Sequence, residues 1–215
     1  MMNLRIERFI ADFPRPATIS PAPALLLAAG LPASGKSFFV HELTTYVALA
    51  HLNTDHIRHA LSVGKPKFDG EENYLVHTTA ARLAAQLLEE GYHVVYDATS
   101  VLARDRRSAL SAAKNVSART VIVWCEADDQ VAAQRLALRA AAADERDYSR
   151  ADAAVRARMA GRHSRPAAHE ADMIFYVTPD NVLLIAREVA SHLTSNAKPL
   201  FAESAQPTPP TTQLD

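Results

Sequence analysis

The sequence predicts an α/β fold: a three-layer sandwich in which helices cover both faces of a five-stranded parallel sheet, with a helical lid over one end. Three observations predict it. Five short apolar runs, Leu25 to Ala29, Ala50 to Thr54, Tyr92 to Asp97, Thr120 to Trp124 and Met173 to Val177, alternate with longer stretches of helical periodicity. The first run leads straight into Gly30-Leu31-Pro32-Ala33-Ser34-Gly35-Lys36-Ser37, which satisfies G-x-x-x-x-G-K-[ST]. Gly30, Asp55, Asp97 and Thr99 all fall just past predicted strands, where open parallel sheets gather their ligands.

Taken in order, residues 1–23 form an N-terminal arm. Leu4 to Phe13 is amphipathic, and Pro14, Pro16, Pro21 and Pro23 then break regular structure. The main domain spans 24–195. Its first strand is an apolar run of the kind a doubly covered sheet requires, and Phe39, Leu43, Tyr46 and Val47 recur at helical spacing after the glycine loop. The second strand ends where Asp55 is placed to cap a helix through Leu61. A loop over 64–70 precedes a long helix over 71–90, with Leu75, Leu83 and Leu87 on one side and Gly91 as its stop. The third strand is followed by a helix from Arg104 to Asn115, and the fourth by a helix from about Asp128 to Ala143. Residues 144–149 are polar and aperiodic, predicting a mobile excursion before an arginine-rich helix over 151–163. After the fifth strand, Val182, Ile185, Val189 and Leu193 mark the face of a last helix. Residues 196–215, rich in Pro, Thr and Gln, predict a disordered tail.

Composition narrows the setting. An apolar share of 48% in 215 residues suffices for one buried core, and a formal net charge of −1 gives no global pull toward nucleic acid. Nucleic acid is therefore an open but unfavoured partner. The lone Cys125 ends an apolar run and reads as a core residue. With no secretory signal or membrane span indicated, the expected location is the cytoplasm. His41, His51, His56 and His59 lack the spacing of a metal site. Oligomeric state is not legible.

The glycine loop specifies a P-loop NTPase. Backbone N–H groups from Gly30, Leu31, Pro32 onward (Pro32 itself has none) through Ala33, Ser34, Gly35, Lys36, Ser37 and Phe38 line a phosphate cradle for ATP, Lys36 reaches the outer phosphates, and the Ser37 hydroxyl is a ligand for Mg²⁺. Asp97, after an apolar strand, stands where a second acidic motif holds magnesium; the alternative is a solvated strand-end carboxylate. Asp55 is placed to accept the proton of a hydroxyl acceptor, and Arg58, one turn on, to pin an anion of the substrate. Equally, Asp55 is an N-cap and Arg58 a surface charge. Thr99 and Ser100 beside Asp97, and Arg104 beyond it, are candidate acceptor contacts. Arg135 and Arg139 share a helical face, and with Arg146 and Arg150 they supply cations for a lid over the triphosphate; the plainer account pairs them with Glu126, Asp128, Asp129 or Glu145. Arg156, Arg158, Arg162, His163, Arg165 and His169 make a local basic patch without interleaved aromatics.

Together the glycine loop, Leu52-Asn53-Thr54-Asp55-His56-Ile57-Arg58, Val94-Val95-Tyr96-Asp97-Ala98-Thr99 with Arg104 and Arg107, and Arg135-x-x-x-Arg139 resemble the AAA-type P-loop kinases grouped with polynucleotide 5′-hydroxyl kinases and zeta toxins. The resemblance covers residues 24–193. It implies ATP, Mg²⁺ and transfer of the γ-phosphoryl group to a hydroxyl on a small molecule or a nucleic-acid 5′ end. It further implies Asp55 as general base, Arg58 on the acceptor side, and Arg135 and Arg139 in the lid. Ser100 stands where many relatives of the polynucleotide branch carry asparagine. A zeta-toxin-like kinase of a nucleotide sugar and a regulatory ATPase without an acceptor are the rival readings. The absence of N-K-x-D favours ATP over GTP.

Overall fold

Five parallel strands in the order β2-β3-β1-β4-β5 form the sheet of the computed structural model, which describes residues 2–142, 148–149 and 151–195. The strands are β1 (Ala24–Ala29), β2 (Ala50–Asn53), β3 (Val94–Asp97), β4 (Arg119–Cys125) and β5 (Met173–Val177). Around them lie α1 (Met2–Asp12), α2 (Lys36–Thr44), α3 (Thr54–Leu61), α4 (Gly70–Glu89), α5 (Ala103–Asn115), α6 (Asp129–Ala142), α7 (Ala153–Ala160) and α8 (Val182–Thr194), with a short 3-10 turn at Ala168–Glu170. This is the expected α/β three-layer arrangement, with β1 flanked by β3 and β4 so that the loop after it opens over the middle of the sheet.

The period of two along β1 divides the core. Leu25, Leu27 and Ala29 face a cluster shared with α3, α4 and α5, while Ala24, Leu26 and Ala28 face one shared with α2 and α8. Every residue of β1 is buried, which explains its unbroken apolar run. Phe39, Val40 and Leu43 carry α2 onto the second cluster, and Val182, Ala186, Val189 and Leu193 carry α8 beside it. Fully burying a Val, Leu or Phe side chain contributes about 1.5–3 kcal/mol.

Boundaries differ from expectation where caps decide them. α2 ends at Thr44, so Tyr46 lies beyond the helix and is exposed. α3 is capped by Asn53, whose side chain accepts from the N–H groups of Asp55 and His56; Asp55 is thus in the first turn and is not the cap. α4 starts under Asp69, which accepts from the Glu72 N–H, and stops before Gly91, the expected stop, whose φ of 90° is left-handed. α7 runs only over Ala153–Ala160 because Asp152 caps it and Gly161 follows its last turn. Arg146, Arg150 and the tail over 196–215 lie outside the described residues, as does most of the excursion over 144–149.

Residues 2–12, read as part of an arm, form a helix docked on α3. Ile10 is buried, Glu7 pairs with Arg82 on α4, and Arg15 pairs with Glu90 while donating to the carbonyls of Ile10 and Phe13. Among the described residues, no helix is long and apolar enough to cross a membrane.

Candidate active site

The loop after β1 is shaped by two glycines. At Gly30, φ is 143° and a Cβ would stand 2.3 Å from the Cys125 carbonyl oxygen, so a side chain there would drive the loop off the end of β4. Gly35, at φ 106°, is the residue before α2 and gives that helix no side-chain cap. The first N–H groups of a helix have no partner within it, so an uncapped N-terminus beside a glycine loop is open to an anion. Ser34 Oγ is buried and, among the described residues, without a hydrogen-bond partner.

Lys36 Nζ donates to the carbonyls of Gly30 and Leu31, both at 3.0 Å, folding the side chain across the loop. Burial lowers its pKa, against the opposing charges of Asp97 and Asp55. Lys36, Ser37, exposed Phe38 and Pro32, Ala33 and Gly35 line a cleft of about 1330 Å³. Gly30, Leu31 and Ser34, expected in the cradle, do not line the cleft; the Gly30 N–H donates to the Thr99 carbonyl at 2.9 Å, joining the loop to the end of β3.

Asp97 ends β3 opposite Asn53 and is only 3% exposed, which removes the solvated strand-end reading. His51 Nε2 lies 3.1 Å and Asn53 Nδ2 2.9 Å from its Oδ2. Burial acts to raise this carboxyl; the His51 hydrogen bond, the Lys36 charge and the Asn53 amide outweigh it and hold the pKa below the usual carboxylate value. Asp97 therefore stays ionised and oriented. Asn53 has two tasks at once, capping α3 with its oxygen and fixing Asp97 with its nitrogen. His51 and Asn53 escaped the sequence reading; an asparagine at a strand-to-helix joint, two residues before Asp55, was the signal that could have found the second.

Asp55, half-buried in the first turn of α3, Thr99 and Arg104 also line the cleft. Arg104 is largely exposed and 3.5 Å from Asp105. Ser100 does not reach it: that residue is buried, and its carbonyl accepts from Arg106. Arg58 lines the cleft as well and is not a surface charge. It is buried, gives Nη1 to Glu72 at 2.9 Å and Nη2 to Asn73 at 2.7 Å, and lies over the Phe68 ring. Burial acts to raise the Glu72 carboxyl, but the Phe68 N–H, Ser62 and Arg58 outweigh it and bring its pKa down to about 2.

The arginines after β4 divide by task. Arg135 Nη1 donates to the Ala33 carbonyl at 3.1 Å, so its partner is the loop and not an acid of its own helix. Arg139 lines the cleft and donates to Ser149 Oγ. Arg156, expected in an exposed patch, is buried: Nη1 donates to the Pro32 carbonyl at 2.7 Å, and Nη2 to the Ala127 carbonyl and Asp129. Arg135 and Arg156 thus hold neighbouring carbonyls of the loop from α6 and α7. The rest of that patch is dispersed. Arg158 and Arg162 line the cleft, Arg165 pairs with Glu126, His163 stacks on Trp124, and His169 belongs to the 3-10 turn. Arg106, unremarked in the sequence, is fully buried, forks onto both oxygens of Glu170 and packs on Trp124. Tyr148 stacks on His59 and meets His56 edge-on, linking the segment after α6 to α3.

The donor set suits magnesium in kind: a hydroxyl and an ionised carboxylate are hard oxygen ligands, and Mg²⁺ completes its shell with water and phosphate oxygens. No cluster of three or more His, Cys, Asp or Glu able to hold a metal occurs among the described residues. Cys125 is buried with its thiol pushed up to about 12, an inert core residue as expected.

Several solved structures share this architecture. Chaetomium thermophilum Kti12 in complex with ADP-AlF3 is 15% identical, with a TM-score of 0.63 over 80% of this chain and 100% of that one. The Mycobacterium tuberculosis APS kinase CysC in complex with AMPPNP and APS is 23% identical, with a TM-score of 0.55 over 82% and 99%. A gluconokinase from Sinorhizobium meliloti is 14% identical, with a TM-score of 0.55 over 82% and 95%. At these identities the likeness is one of fold. No curated protein sequence matches the chain. The model of the AAA domain family matches residues 25–166, two thirds of the sequence, and the chain belongs to that family.

Proposed function

We propose that the protein is an ATP-dependent phosphotransferase that moves the γ-phosphoryl group of ATP onto a hydroxyl acceptor. One observation carries the reading: Lys36 and Ser37 of the loop, Asp97, and Asp55 on the next strand-to-helix joint all line the same cleft. Solved kinases of the same fold support it.

In the reaction, the acceptor oxygen attacks the γ-phosphorus in line, the bond to the β–γ bridging oxygen breaks, and ADP leaves. Asp55 takes the acceptor's proton as the new O–P bond forms. Lys36 neutralises the outer phosphates, and the open N-terminus of α2 receives their charge. Ser37 and Asp97 would hold Mg²⁺, which supplies charge neutralisation when bound. Arg139 and Arg135 reach the cleft from α6, where guanidiniums stabilise charge on the transferred group.

A second reading, a regulatory ATPase, has one observation in its favour. Arg58, the residue that family resemblance places on the acceptor side, is occupied by Glu72 and Asn73. The deciding experiment incubates the protein with γ-labelled ATP, Mg²⁺ and either a 5′-hydroxyl oligonucleotide or a panel of small hydroxyl compounds, beside Lys36→Ala. Label on an acceptor in wild type alone is the expected result. ADP release at one rate with and without every acceptor would overturn it in favour of the ATPase.

A further inference from the structure

Beside the cleft lies a second cavity of about 430 Å³, walled by α1, β2 and α3. Arg5, Arg8, Phe9 and Asp12 are spaced i, i+3, i+4 and i+7, which puts them on one stripe of α1, and that stripe lines the cavity together with Phe13. The neighbouring stripe, Ile6 and Ile10, enters the core. Glu7 on Arg82 and Arg15 on Glu90 hold the middle of the helix and the chain just past its C-terminal end. Its volume lies within the range of about 300–1000 Å³ usual for small-molecule sites.

The lining is chemically mixed in a specific way. Two guanidiniums and one carboxylate line it: Arg8 meets Asp12 at 3.3 Å, and Arg5 gives Nη1 to the Ser62 carbonyl at 3.3 Å, leaving its other N–H groups for a ligand. Two rings, Phe9 and Phe13, stand edge-to-face with centroids 6.0 Å apart. An apolar ligand would strip water from the guanidiniums without replacing it. A bare inorganic anion would leave the ring surfaces unused. A flat ring that carries an anionic group answers both, through ring contact and charge-assisted hydrogen bonds. The opposite wall supplies His51, Asn53 and His56, of which Asn53 and His56 also line the main cleft, flanking Asp55 in sequence. The two cavities therefore share a wall at the proposed base.

We propose that the cavity under α1 is a binding site for the anionic, ring-bearing end of an elongated acceptor whose hydroxyl lies at Asp55; the acceptor part of this assignment rests on the phosphotransferase reading. The chain's near-neutral charge is no obstacle, because the cations required are local.

Uridine 5′-monophosphate serves as the probe, titrated calorimetrically into the full chain saturated with the non-hydrolysable ATP analogue AMPPNP, and separately into Lys36→Ala. Saturable binding is expected in both, with uridine about tenfold weaker or worse because it lacks the anion. The double variant Arg5→Gln/Arg8→Gln should weaken the nucleotide at least about tenfold and leave AMPPNP affinity unchanged. Should that variant melt early, Arg8→Gln alone decides, since this side chain is 85% exposed and its ion pair with Asp12 lies at the surface. No saturable binding to wild type, or binding that survives loss of the arginines, overturns the site. Binding that depends on the arginines in a protein that transfers no phosphate upholds the site and removes only the phosphotransferase reading.

Discussion

Two strand-to-helix joints stand near each other on the same sheet and end their helices in opposite ways. At β1–α2 the preceding residue is a left-handed glycine, the helix has no side-chain cap, and the loop carbonyls are held from outside by Arg135 and Arg156. At β2–α3 the preceding residue is Asn53, whose oxygen already occupies the N–H groups of Asp55 and His56. A helix end that satisfies its own donors cannot offer them to a phosphate, whereas one left open and braced can. The first joint therefore leaves its helix N–H groups open, and the second uses its own to fix the start of α3 beside Asp97. On the phosphotransferase reading proposed above, one joint binds and the other positions.

Substitutions separate the two tasks. Lys36→Ala, at the open joint, should reduce phosphoryl transfer by about 10²- to 10³-fold or more in single-turnover assays with labelled ATP. Asp55→Asn, at the closed joint, should lower kcat by about 10²- to 10⁴-fold while AMPPNP affinity stays within about twofold of wild type. An unchanged kcat would mean that the second joint is structural only, and would favour the regulatory ATPase.

Bracing is tested next. Arg156→Met leaves the Pro32 carbonyl without its donor, and should cost about 1–3 kcal/mol in urea unfolding together with weaker AMPPNP binding. If stability falls but affinity does not, the loop keeps its shape without α7. Asn53→Ala removes the cap and one of the bonds to Asp97, for a loss of about 1 kcal/mol and a fall in kcat without a matching change in AMPPNP affinity. A purely structural cap would leave kcat untouched.

The smallest effect concerns the far end of α3. Glu72 has a folded pKa of about 2 against an ordinary 4.5, because Phe68, Ser62 and Arg58 hold its ionised form against the opposing effect of burial. A depressed acid pKa contributes stability that is complete above the unfolded value and lost as pH falls through the folded one. Acid titration should thus weaken the protein between about pH 4.5 and pH 2 through the α3–α4 contact, and Glu72→Gln should flatten that part of the stability curve. Amide exchange followed over the same window should show α3 opening before α2.

Legibility followed the range of the interactions. The five strands and the glycine loop are coded by neighbouring residues, through apolar runs and a fixed local spacing, and each strand lies within two residues of its expected position at either end. Leu4 to Phe13 is legible as amphipathic, but the ion pairs that tie this region to α4 and its C-terminal end involve Arg82 and Glu90, some 75 positions away along the chain. Arginine was the hardest residue to place. Arg58, Arg106, Arg135 and Arg156 differ little in sequence context, yet their guanidiniums meet Glu72, Glu170, the Ala33 carbonyl and the Pro32 carbonyl respectively. A long cationic side chain reveals its partner only when the chain has folded.

By itself the sequence determined the α/β class, the phosphate loop with its two obligatory glycines, and the set of carboxylates at strand ends, because backbone conformation, strand burial and motif spacing are local properties. Tertiary structure alone decided which of the charged groups are buried and paired, that His51 and Asn53 fix Asp97, that two distant arginines brace the loop, and that α1 closes a second cavity beside the cleft. Those outcomes depend on contacts between segments far apart in the chain, whose desolvation and pairing energies exist only once the sheet order β2-β3-β1-β4-β5 has brought the segments together.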